Sequence, residues 1–257
     1  MSVFDVAGLT ESELSAWIAP LLGDDFGAVT THVPRGFQSY VRVFHPADPG
    51  REESTTWSSI ARQNGTVMHQ MAQFDAIAPG NQTNEFGPAA PRTGDLAPTE
   101  LHRLTATLRR HTPSPEDCVF AFWEGWGDLA RPTRITTYQD GRPQVHMPEP
   151  LAPNARTPPP VGKLTLPHRQ YALFRGDLDL AERFGNWANE RWLIVRSPNL
   201  MWNTDRAWLV ATEIDFDSTL VGGTSALITD IIDTEGLEAA EVQPTDLLHS
   251  EADTFNS

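Results

Sequence analysis

Eight prolines fall between Pro143 and Pro167, three of them consecutive at Pro158-Pro159-Pro160. Each proline fixes φ and removes a backbone donor, so a run this dense argues against regular structure. The expectation is an extended crossover or a linker between two halves. It is the one boundary the 257-residue chain offers. With 39% hydrophobic residues the chain can build one sizeable core or two small ones, and a disordered or fibrous protein is excluded.

On either side of that run, strand and helix patterns alternate. A Thr10-Glu11-Ser12-Glu13 capping box opens a helix that carries Leu14, Trp17, Ile18 and Leu21 and ends near Gly23. Phe37 to His45 alternates as a strand and is stopped by Pro46. A helix is expected from Thr56 to Gln63, ending at Gly65, whereas residues 66 to 77 fit either a strand or a helix. Residues 79 to 98 form a loop of the length that usually has a function. Thr99 to Arg110 follows as a helix with Leu101, Leu104 and Leu108 inward. Cys118 to Trp123 is wholly apolar, as a central strand is, and runs into the turn Glu124 to Asp128. Beyond the prolines, Gln170 to Phe174 reads as a strand, Asp177 to Trp187 as an amphipathic helix, and Ala207 to Asp217 as a strand. Gly222-Gly223 then leads into a helix from Thr224 to Ile232. These elements imply an α+β or α/β fold: a single compact domain over residues 1–257, a mixed β-sheet flanked by helices, and a Pro-rich crossover at 143–167.

The charge is unevenly spread. Of a formal net charge of -15, residues 1–206 contribute -4, while residues 207–257 hold 11 acidic side chains and no Lys or Arg. Such a field repels nucleic acid and anionic lipid and suits a basic protein or a cation. No apolar run is long enough for a membrane span, and the N-terminus lacks the pattern of a signal peptide. The single Cys118 forms no internal disulfide, and the expected compartment is the cytoplasm.

Several motifs resemble an uncharacterised bacterial protein family. They are Ser197-Pro198-Asn199-Leu200-Met201-Trp202, Asp205-Arg206-Ala207-Trp208, Ala211-Thr212-Glu213-Ile214-Asp215, Val221-Gly222-Gly223, Val33-Pro34-Arg35-Gly36-Phe37 with Arg42-Val43-Phe44-His45-Pro46, and Trp123-Glu124-Gly125. The resemblance spans most of the chain. It implies a single unit of about this length and assigns no activity.

Two constellations could carry chemistry. Glu213, Asp215 and Asp217 would share one face of a strand, where three hard oxygen donors suit Mg²⁺, Mn²⁺ or Ca²⁺. The following Gly222-Gly223-Thr224-Ser225 would place a helix N-terminus for a phosphate. The second set is aromatic: Trp202, Asp205, Arg206 and Trp208, with Trp126 between two glycines as an exposed ring, arranged as a stacking pocket. The eight histidines lack H-E-x-x-H or zinc spacing, and Cys118 lies in an apolar run that disfavours its thiolate. The leading expectation is therefore a non-catalytic binding protein, without cofactor, whose acidic C-terminal surface meets a cationic partner. The alternative is an enzyme that uses the three carboxylates with a metal, or the Trp/Arg pocket.

Overall fold

The computed structural model describes residues 14–25, 27–47, 55–79, 89–126, 135–139, 142–146, 160–189 and 192–256. The Thr10–Glu13 capping box, Asp128 and most of the Pro-rich run lie outside them.

The frame is an eight-stranded sheet. Its strands in chain order are β1 (Ser39–Phe44), β2 (Cys118–Trp123), β5 (Gly162–Leu166), β6 (Arg169–Gly176), β9 (Leu200–Asn203), β10 (Leu209–Ala211), β11 (Ser218–Gly223) and β12 (Ala239–Val242). Two separate hairpins pair β3 (Ile135–Gln139) with β4 (Arg142–His146) and β7 (Gly185–Asn189) with β8 (Trp192–Val195). The spatial order in the large sheet is β12-β1-β11-β10-β9-β2-β6-β5. Every pairing in it is antiparallel, which makes the fold α+β rather than α/β and replaces the expected mixed sheet. Strands from both sides of the Pro-rich run interleave. Regular structure also enters that run: Pro143 sits in β4, paired with Tyr138, and Gly162–Leu166 forms the edge strand β5. A hairpin and a sheet edge are where missing donors are tolerated.

Alternation decides which side chain goes where. On β2, Cys118, Phe120 and Phe122 enter one layer, and Val119 and Ala121 enter the other. The first layer is covered by α4 (Pro98–Arg110) and α5 (Ser225–Ile232), through Leu101, Leu104, Leu108, Leu227, Ile228 and Ile231. The second lies under Leu14, Ile18 and the short helix α1 (Val29–His32). Beside β1, α2 (Trp57–Asn64) and α3 (Phe74–Ile77) build a third cluster around Trp57. Helix α2 starts where Thr56 accepts from Ser59 N and stops at the left-handed Gly65, φ 70°. The segment 177–187 is a 3₁₀ turn from Leu178 to Arg183 that feeds β7, not an amphipathic α-helix.

The acidic C-terminal region finds its countercharges in distant sequence. Glu213 and Asp215 meet Arg169, Asp217 meets Arg42, Asp230 meets His111 and Arg110, and Asp253 meets His69. Glu238 instead caps α2, accepting from Trp57 N and Ser58 N.

Candidate functional site

The segment expected as one strand from Ala207 to Asp217 is a short strand followed by a turn. β10 ends at Ala211, and Phe216 N donates back to Glu213 O at 3.0 Å. The base is tied by Thr212 Oγ1 and Thr219 Oγ1, 2.9 Å apart. From outside, Gly94 N donates to Phe216 O at 2.8 Å. Gly94 has φ +69°, and a Cβ there would stand 2.6 Å from Ile214 Cα, so only glycine fits this approach.

The turn divides the three carboxylates. Glu213 and Asp215 both accept from Arg169 Nη2, at 2.5 and 2.8 Å, while Asp217 lies 3.5 Å from the buried guanidinium of Arg42. The shared face read from the alternation is absent, because the two arginines draw the acids apart. Among the described residues no group of three His, Cys, Asp or Glu is placed to hold a metal ion. The helix N-terminus after Gly222-Gly223 is likewise occupied: Thr224 Oγ1 accepts from Leu227 N, and Gln38 Oε1 from Ser225 N. Gly222 is required by packing, since a Cβ would meet the Phe37 ring at 2.4 Å.

The aromatic set separates too. Trp202 and Trp208 are both fully buried but in opposite layers, because Trp202 pairs with Leu209 across the β9–β10 hairpin and Trp208 has the other parity. Trp208 Nε1 donates to Thr112 Oγ1 at 2.8 Å. Asp205 and Arg206 form the turn between these strands, Arg206 with φ 58° and its guanidinium 5.4 Å from the Trp17 ring centroid. Trp126 is half-buried rather than exposed. Its Nε1 donates to Asn199 Oδ1 at 2.9 Å, its ring meets Trp123 edge-on at 5.7 Å, and Arg196 sits 4.0 Å over it. Cys118 is buried, and burial pushes its thiol up to about 12, which leaves it unreactive.

What the fold does assemble is a cleft of about 440 Å³ at the end of the sheet. Ala19 and Leu22–Asp24 with Gly27, Thr31 and His32 form one wall, the β5–β6 turn at Leu166–Arg169 a second, and the 213–216 turn a third. Leu22, Leu166, Pro167, Leu200 and Phe216 make its apolar surface. Its polar groups converge from three segments: His32, then Arg169 and Tyr171 on β6, and Glu213.

His32 is the group that marks this place. Its ring packs edge-on against Phe216 at 4.8 Å, and Nδ1 lies 3.8 Å from Glu213 Oε2, too far for a hydrogen bond. Nε2 is buried without a partner among the described residues. Burial lowers the His32 pKa, with Arg169 adding to it and Glu213 opposing, so the imidazole is neutral at pH 7. Tyr171, in the same lining, is buried, its phenol pushed up by burial and by Glu213, and therefore stays protonated. A neutral imidazole accepts a proton or a hydrogen bond, and a phenol donates one. Asn199, also in the lining, is tied into the fold: Oδ1 accepts from Trp123 N and Trp126 Nε1, and Nδ2 donates to Thr212 O.

No family model, curated protein or solved structure matches the chain. The family resemblance in the motifs therefore brings no chemistry with it, and the site rests on its own geometry. Of the residues singled out in the sequence, Glu213 and Asp215 belong to the cleft; Trp126, Trp202, Asp205, Arg206, Trp208 and Asp217 do not line it. His32, Arg169 and Tyr171 carried no local motif.

Proposed function

We propose that the chain binds a small organic molecule in the cleft beneath the β5–β6 turn, with His32 and Glu213 as its polar anchors. The observation that carries this reading is the unpartnered Nε2 of a neutral, buried His32 in the wall of an apolar cleft. An unsatisfied buried polar atom costs about 1–3 kcal/mol, and such costs are retained where a ligand repays them. Concave, mostly apolar clefts with a few converging polar groups of shifted pKa are the usual form of small-molecule sites.

The reading of the acidic C-terminal surface as a dock for a basic protein keeps narrower support. It rests on the exposed carboxylates of Asp233, Glu235, Glu241 and Glu251, since seven others in this region have partners within the fold or cap a backbone amide. No described helix is long and apolar enough to cross a membrane. A cytoplasmic setting is supported by the lone, buried cysteine.

A ligand-observed NMR screen with mixed aromatic fragments tests the cleft, run on the wild type and on Leu22→Trp, which fills it. Hits that vanish in a folded Leu22→Trp support the reading. Hits unaffected by that variant, or no hits at all, contradict it.

A further inference from the structure

The lining of the cleft is unequal in charge. Asp24, Glu213 and Asp215 face a single guanidinium, Arg169, and His32 is neutral. Arg169 Nη2 donates to both Glu213 Oε1 and Asp215 Oδ2, and the Trp123 ring centroid lies 5.5 Å from the guanidinium carbon. Two carboxylates against one arginine leave the local charge negative, which disfavours an incoming anion. The second oxygen of each carboxylate has no hydrogen bond among the described residues. Glu213 is mostly shielded at 14% side-chain exposure, whereas Asp215, at 73%, stands at the mouth. Behind them lie Leu22, Tyr171, Leu200 and Phe216.

On the basis of the binding reading above, we infer that the ligand class is a primary or secondary amine on an apolar body. Its ammonium is held between Glu213 Oε2 and Asp215 Oδ1, and its body rests on Leu200 and Phe216. An ammonium supplies N–H donors to acceptors that have none, and the net negative wall favours it over neutral or anionic isosteres. Desolvated charge-assisted hydrogen bonds are stronger than neutral ones, which makes Glu213 the main anchor and exposed Asp215 the weaker one.

The matched probes are 2-phenylethylamine, 2-phenylethanol and phenylacetate, titrated into the full chain while the amide resonances of Leu22, Thr31 and Leu200 are followed. The amine is expected to bind roughly fivefold or more tightly than the alcohol, with phenylacetate weakest. Glu213→Gln should bring the amine down to the alcohol's affinity. Asp215→Asn, at an exposed position that tolerates change, should reduce the preference in part. Equal affinity of amine and alcohol, or tighter binding of phenylacetate, overturns the amine assignment, and an amine preference that survives both variants overturns its anchoring by Glu213 and Asp215, while the cleft remains a binding site. Silence of all three probes overturns it as well, and the fragment screen then decides separately whether the cleft binds anything.

Discussion

Acid should unfold this protein through His45 before it titrates the carboxylates. The ring is fully buried, with Nδ1 2.6 Å from Arg92 O and Nε2 2.9 Å from Thr219 Oγ1. A carbonyl only accepts, so Nδ1 carries the proton and Nε2 accepts from Thr219; Thr212 completes the chain by donating to Thr219 at 2.9 Å. Protonating Nε2 would break that relay and bury a cation beside Arg42. Burial accordingly lowers the pKa from 6.5 to about 4. The folded value lies below the unfolded one, so between these limits the unfolded chain binds a proton that the native chain refuses. Stability is unaffected above about pH 6.5, falls as pH drops below it, and levels off near pH 4. At 1.36 kcal/mol per pKa unit the loss is about 3 kcal/mol, a large share of a typical 5–15 kcal/mol. His32, also lowered, adds in the same direction. Urea denaturation followed by tryptophan fluorescence at half-unit steps from pH 7.5 to 4 would measure it. His45→Asn keeps a donor for Arg92 O and loses the titration, so its slope should be shallower by up to about 1.4 kcal/mol per pH unit. A variant slope equal to that of the wild type would refute the neutral relay.

Three further outcomes follow from the same geometry. His32→Phe removes the orphaned Nε2 and keeps the ring against Phe216, so it should gain about 1 kcal/mol in urea denaturation while fragment binding in the cleft is lost; a destabilised variant would mean that Nε2 has a partner. Trp126→Ala removes a half-buried ring, an indole hydrogen bond and the Arg196 stack, and should cost about 2 kcal/mol; a change within about 0.5 kcal/mol would show the ring to be free on the surface. Millimolar Mg²⁺, Mn²⁺ or Ca²⁺ should leave the melting temperature of wild type and Asp215→Asn alike, since Asp217 is drawn to Arg42; a rise confined to the wild type would restore the metal reading.

Elements with local signals were legible in the sequence. α2 is bracketed by its Thr56 cap and by Gly65, β2 announces itself as an unbroken apolar run, and the leucines of α4 recur at helical spacing. The turn at 213–217 was not, because its amphipathic alternation is the pattern of a strand. What bends it comes from elsewhere: Gly94 pressing on Ile214, Arg169 gathering two acids and Arg42 holding the third. The fate of Trp202 and Trp208 depended on hairpin parity, which proximity in sequence disguises as a shared pocket. The cleft was illegible for the same reason. His32, Arg169, Tyr171 and Glu213 meet only after β6, β9 and β10 align, and of the four only Glu213 stands in a motif. Glu213 and Asp215 were found as acids, yet their setting, an arginine in place of a metal, required the tertiary structure.

A crystal structure of the full chain soaked with aromatic amine and alcohol fragments would show directly whether the cleft is a binding site. Fragment density is expected in the cleft, with the polar end at Glu213 and the ring against Leu200 and Phe216. Fragments bound reproducibly elsewhere, with the cleft holding only water, would contradict it.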